Sequence, residues 1–184
     1  MELKGERALA ASRDEAWQAL NDIEVLKRCV PGCESITPTG ENEYELAMTA
    51  AIGPVKSRFK GKMQLADIQP PRAYTLKFDG SGGPAGFARG DARVELAEIS
   101  ARETRLVYVA NAQVGGKLAQ VGSRLIDAAS GAMADKFFEA FAGQLAARVT
   151  PLSAGAPPPA APPQATIGFF SLLKAFLRRL FGGR

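Results

Sequence analysis

The 184-residue chain contains no histidine and only two cysteines. Without histidine there is no Ser-His-Asp or Cys-His nucleophile and no histidine-bound zinc. Cys29 and Cys33 alone cannot close a zinc site, and their C-x-x-x-C spacing is not the C-x-x-C redox motif. Two reduced thiols near a loop are the expectation in a reducing compartment, with a regulatory or ligand-contacting thiol as the alternative. Long hydrophobic runs are also missing. No stretch offers the roughly 20 apolar residues that a membrane span needs. Residues 1–11, MELKGERALAA, lack a basic start followed by an apolar run, so no secretory leader is expected there.

What is present is the balance of a folded domain, 46% hydrophobic and 23% charged residues. The net charge of +4 is unevenly placed. Of 23 basic residues, Lys174, Arg178, Arg179 and Arg184 follow position 150 with no acid among them, leaving 19 basic against 19 acidic in residues 1–150. A neutral domain argues against general nucleic-acid binding, and a basic tail points to an acidic surface.

The first strand is expected over residues 2–10. Ser12-Arg13-Asp14-Glu15 is a capping box opening a short helix with Ala16, Trp17, Ala19 and Leu20 apolar. A second short helix runs from Asp22 to Arg28 and stops at Pro31-Gly32. The middle alternates as strands do. Tyr44, Leu46, Met48, Ala50 and Ile52 share one face, and Gly53-Pro54 turns the chain. Phe59, Met63 and Leu65 then oppose the basic ladder Lys56, Arg58, Lys60 and Lys62. That ladder reads as a solvated strand face, or else as a docking surface for an acidic partner or lipid. No aromatics interleave with it, which disfavours single-stranded nucleic acid. Leu76 with Phe78, Val94 with Leu96, and Leu106 through Val114 supply further strands, about six or seven in all.

Leu118 to Arg148 is free of proline and reads as one long helix, striped by Leu118, Val121, Leu125, Ala128, Ala129, Ala132 and Met133. Phe138, Phe141 and Leu145 drift to another face. They are either the rim of the same core or a partner or homo-oligomer contact. The whole is an α+β domain, a curved antiparallel sheet wrapped around a long C-terminal helix. Inward strand positions Phe59, Met63, Phe78, Leu106 and Tyr108 meet Leu125, Ala129 and Met133 of the helix. Spacing alone does not distinguish a filled core from a ligand cavity here. The glycine-rich stretch Gly80–Gly90, with Phe87, is a candidate mobile lip, and the Cys29–Cys33 loop a candidate for the same mouth.

Residues 151–165, PLSAGAPPPAAPPQA, are a Pro/Ala linker reaching roughly 45 Å if extended. The tail 166–184 reads TIGFFSLLKAFLRRLFGGR. As a helix it gathers Phe169, Phe170, Leu172, Leu173, Phe176, Leu177, Leu180 and Phe181 on one half and Lys174, Arg178 and Arg179 on the other. Its length of roughly 20 Å and three internal charges favour lying in a membrane interface over spanning it. A helix docked in a protein groove is the rival reading.

Three stretches carry a resemblance. They are Leu26-Lys27-Arg28-Cys29-Val30-Pro31-Gly32-Cys33-Glu34, Ile52-Gly53-Pro54-Val55 with Phe59-Lys60-Gly61, and Val114 through Leu125 continuing into Met133-Ala134-Asp135-Lys136-Phe137-Phe138. With the order of elements, they resemble the carbon monoxide dehydrogenase G-subunit family of the START-like, helix-grip superfamily. The resemblance implies a START-like ligand-binding domain over residues 1–150. It also implies a non-catalytic accessory protein of a molybdenum hydroxylase such as carbon monoxide dehydrogenase. Such a protein carries a lipophilic quinone, menaquinone or ubiquinone, and works at the inner face of the cytoplasmic membrane. It supplies no catalytic residue and no metal site. A recruitment adaptor with a filled core, and a cyclase or hydrolase of the same superfamily, are the alternatives. A continuous void in the core separates the carrier from the adaptor.

Overall fold

The structure, a computed structural model, describes residues 1–149. The linker 151–165 and the tail 166–184, with all the membrane-binding positions named above, lie outside the described residues.

The chain begins with β1 (Glu2–Leu9), α1 (Arg13–Leu20) and α2 (Ile23–Cys29). Both helices start on side-chain caps. Ser12 Oγ accepts from the Glu15 N–H at 3.3 Å while the Ser12 N–H donates to Glu15 Oε2 at 2.8 Å. Asp22 Oδ1 accepts from the N–H groups of Glu24 and Val25 at 2.9 and 3.3 Å. These bonds satisfy donors that a helix N-terminus leaves open. They also hold both carboxyls below the usual range. Ser12 is the largest cause for Glu15, and Arg148 followed by the α2 backbone for Asp22.

Six strands follow: β2 (Cys33–Gly40), β3 (Glu43–Ile52), β4 (Val55–Gln69), β5 (Ala73–Ser81), β6 (Phe87–Ser100) and β7 (Glu103–Gly115). They form one antiparallel sheet in the order β1-β7-β6-β5-β4-β3-β2. The capping box, the strand faces and the α+β fold are as the sequence leads one to expect. β2 is an addition. Pro38 and Gly40 give it the look of a loop, and an edge strand tolerates both because it pairs on one side only.

The C-terminal helix departs from expectation. It is two helices, α3 (Lys117–Gln120) and α4 (Ser123–Val149). Gly122 between them has φ of +93°, a conformation L side chains avoid. The break resets the helical phase. The inward stripe of α4 is therefore Ile126, Ser130, Met133, Ala134, Phe137, Phe138, Phe141 and Leu145, and not one running on from Leu118 and Val121. Leu125, Ala128 and Ala132 are exposed. Phe141 and Leu145 are 0% and 2% exposed inside the chain's own core, so they are not a homo-oligomer contact.

The filled part of the core lies where α1 and the end of α4 meet β1, β6 and β7. Leu9, Leu20, Leu96, Leu106, Phe141 and Leu145 pack there. Buried Thr104 donates its hydroxyl to Ala11 O at 2.9 Å, so this polar group is not stranded.

Candidate functional site

Strand alternation fixes which residues face α4. In register across the sheet, one inward row is Tyr74, Val94, Tyr108 and Gly5. The next is Leu65, Leu76, Ala92, Ala110 and Leu3. Further toward the β3–β4 turn come Tyr44, Met63, Phe78, Gly90 and Ala112, then Leu46, Gly61, Gly80, Ala88 and Val114. The last of these rows is the poorest in side-chain volume. Glycine and alanine at inward positions leave a floor that α4 cannot reach down to fill.

The result is an apolar hollow of two adjoining chambers, of about 290 and 350 Å³. They share Leu3, Leu46, Met63, Leu76 and Ala110 as common wall. Volumes of this size are typical of ligand pockets, and a void of this extent is unusual in a filled core. The first chamber lies under α2, with Leu20, Ile23, Leu26 and Val30 on one side and Phe137 and Phe138 of α4 on another. The second lies under α3 and the start of α4, lined by Met48, Ile52, Phe59, Phe78, Leu118, Ile126 and Met133.

Polar groups are few in both chambers. Asn21, Tyr44, Tyr74 and Tyr108 line the α2 chamber; Ser130 lines the other. Tyr74 meets Trp17 edge to face at 5.7 Å, and Tyr108 stacks on Phe138 at 5.2 Å. Burial drives the Tyr74 phenol well above its ordinary pKa, so it stays a neutral hydrogen-bond donor. Lys60, Lys62 and Asp79 border the α3 chamber from strand positions of the outward register. Neither chamber offers an inward carboxylate. Among the described residues no group of three or more Cys, Asp or Glu is placed to hold a metal.

Of the nine residues expected to line a cavity, Phe59, Met63, Phe78, Leu106, Tyr108 and Met133 do so. Three do not. Leu125 is 40% exposed and lies over Gly53 of the β3–β4 turn, because the phase reset at Gly122 turns it outward. Ala129 is half-buried and borders neither chamber. Phe87 belongs to the outward register of β6, packed over Gly115 with the Arg89 guanidinium 5.4 Å from its ring. Sequence reasoning missed Tyr44, Tyr74 and Asn21. The expected lip is also shorter than its glycines suggest. Gly80 and Phe87–Gly90 are strand, and only Gly82–Gly86 turns, around a 3-10 segment at Gly83–Ala85. The Cys29–Cys33 loop contributes Val30 to the α2 chamber, whereas the glycine turn is at the α3 end. Both cysteines are free, and burial pushes both thiols up, which favours the protonated form.

The basic ladder stands on the outward face among acids. Arg58 binds Glu34 at 2.6 Å, and Lys62 is in register between Glu45 and Asp79. No helix among the described residues is long and apolar enough to cross a membrane.

Residues 5–146 match the family model for the G subunit of carbon monoxide dehydrogenase (CoxG). The fold is similar to a conserved protein from Geobacillus kaustophilus, with 31% identity and a TM-score of 0.76 over 80% of this chain and 96% of that one. A START superfamily protein from Mycobacterium smegmatis is similar at 11% identity and a TM-score of 0.63, over 80% of this chain and 99% of that one. The Zhui aromatase/cyclase from Streptomyces sp. R1128 is similar at 13% identity and a TM-score of 0.63, over 85% and 99%. The last two likenesses concern the fold alone. A search of curated proteins found no match.

Proposed function

The chain belongs to the CoxG family of carbon monoxide dehydrogenase, and from that premise we propose that it is a non-catalytic carrier of a lipophilic quinone. It serves a molybdenum hydroxylase of the carbon monoxide dehydrogenase type at the cytoplasmic membrane. The observation that carries the reading is the apolar hollow between sheet and helix. A filled core, as a purely structural adaptor would have, needs no such space.

Three tyrosines at the α2 end orient the ligand in this reading. A quinone ring has two carbonyl acceptors, and Tyr44, Tyr74 and Tyr108 line the α2 chamber with phenols able to donate. The isoprenoid chain then runs through the apolar α3 chamber. No acid, base or nucleophile in either chamber is set up to transform the ligand, which favours carrying over the cyclase or hydrolase reading. The basic amphipathic tail 166–184 is the membrane anchor in this account. Two electrons from the enzyme and two protons from solvent convert the carried quinone to the quinol, which returns to the bilayer.

Reconstitution tests this. With carbon monoxide as the reductant, carbon monoxide dehydrogenase, quinone-loaded vesicles and the full chain should together reduce quinone to quinol, and omission of the chain should stop the reaction. Replacing Phe176 and Leu180 with Asp should detach the protein from anionic vesicles in co-sedimentation. If the full chain takes up neither menaquinone nor ubiquinone from detergent, the carrier reading is wrong.

A further inference from the structure

The described domain sums to near neutrality, but its charges are sorted by end. In an antiparallel meander alternate turns lie at opposite ends of the sheet. The β3–β4 turn, the β5–β6 turn and the β7–α3–α4 connection share one end. Contacts join them. Ser57 Oγ donates to Gly82 O at 3.2 Å, Gly86 packs on Gly116, and Leu125 covers Gly53. Residues 50–60, 80–90 and 112–126, which build this end, contain no Asp or Glu. They present Lys56, Lys60, Lys117 and Arg124, none in an ion pair among the described residues. The nearest acids are Glu34, engaged by Arg58, Asp79, in register with Lys62, and Asp127, farther along α4. The opposite end mixes Asp14, Glu15, Glu41, Glu43, Glu98 and Glu103 with Arg13, Arg72 and Arg102.

The same basic end exposes apolar residues. Pro54 and Pro84 stand at the tips of the two turns, and Leu125 is one of the few large hydrophobics exposed anywhere in the described chain. Directly beneath them is the partly open α3 chamber, lined at this end by Ile52, Leu118 and Ile126. Cations around an apolar tip suit a surface that is anionic outside and apolar just below. An acidic protein surface would match the charges but not the apolar tips seated over an apolar chamber.

We infer that this end of the folded domain is itself a membrane-docking face, separate from the tail, that sets the α3 chamber against an anionic bilayer. The inference rests on the carrier reading for its purpose, since a lipophilic chain then passes between bilayer and chamber without crossing water.

The test uses the full chain with Cys33→Ser, leaving only Cys29, which is 2% exposed. An environment-sensitive fluorophore is attached through Pro54→Cys at the basic end or, separately, through Glu41→Cys at the other. On mixed phosphatidylcholine and phosphatidylglycerol vesicles the label at position 54 should shift to the blue and be quenched by spin-labelled lipid, while that at 41 should not. Each basic residue near an anionic leaflet changes partitioning roughly fivefold, so Lys56→Glu, Lys117→Glu and Arg124→Glu together should abolish the response at 54. The charge reversal should also slow quinone uptake from vesicles while leaving uptake from detergent unchanged. Equal responses at both positions, or none at either, would overturn the inference. So would a response at 54 that appears only with purified carbon monoxide dehydrogenase, which would make this end a protein interface. A label that responds on vesicles, in a chain that takes up no quinone from detergent, would uphold the docking face and sink the carrier reading instead.

Discussion

The sheet and α4 enclose two regions built from the same elements with opposite packing. Near α1, the side chains of Leu9, Phe141 and Leu145 are 2% exposed or less and fill the space between the layers. Near α3, the inward positions of the same strands are Gly61, Gly80, Ala88 and Ala112, and the space stays open. Stability and capacity are thereby divided along the length of one sandwich. The filled half can hold the fold while the hollow half changes occupants.

The largest effect should come from emptying the filled half. Phe141→Ala should cost about 3–5 kcal/mol in urea unfolding, because Phe141 is 0% exposed and its neighbours cannot collapse around the gap. Met133→Ala, on the wall of the α3 chamber, should cost only about 1 kcal/mol, since that side chain already faces open space on one side. Equal losses would break the contrast between the two halves. Thr104→Val should cost about 1–3 kcal/mol in the same assay, because Ala11 O loses its buried donor.

The smallest effect concerns the join between α2 and the end of α4, where Arg148 binds Asp22 Oδ2. The folded carboxyl of Asp22 is held below its unfolded value. Its contribution is therefore complete above the unfolded value, about pH 4, and is lost as pH falls through the lower folded value. Asp22→Asn keeps a good helix cap and removes the charge, so it should flatten the acid limb of the stability curve below about pH 4. Both partners are more than a third exposed, at 42% and 35%, and the change at neutral pH should be about 0.2–1 kcal/mol.

How much of this was legible beforehand depends on whether the signal was local. Ser12 and Glu15 announce a capping box by themselves, and alternation from Tyr44 to Ile52 announces a strand. β2 was not legible, since Pro38 and Gly40 argue against a strand until β3 is present to pair with. The phase of α4 was not legible either, because Gly122 is tolerable within a helix and only its φ shows the break. Reading the stripe through that glycine placed Leu125 inside and left Phe141 and Leu145 open between the rim of the core and a partner contact. The hollow was written in the sequence as glycine and alanine at inward strand positions. It becomes readable only once strand register brings Gly61, Gly80 and Ala88 into one row.

The central claim is that the hollow half holds a lipophilic quinone, and blocking the hollow tests it most directly. Ala110 stands in the wall shared by both chambers, so Ala110→Phe fills the passage between them. Menaquinone and ubiquinone would be titrated from detergent into the full chain and into this variant, with bound quinone extracted and measured after gel filtration. The account predicts that the unaltered chain retains quinone, and that the variant unfolds at a similar urea concentration yet binds at least about tenfold more weakly, a difference of about 1.4 kcal/mol. Equal retention by both proteins, or none by the unaltered chain, would contradict it.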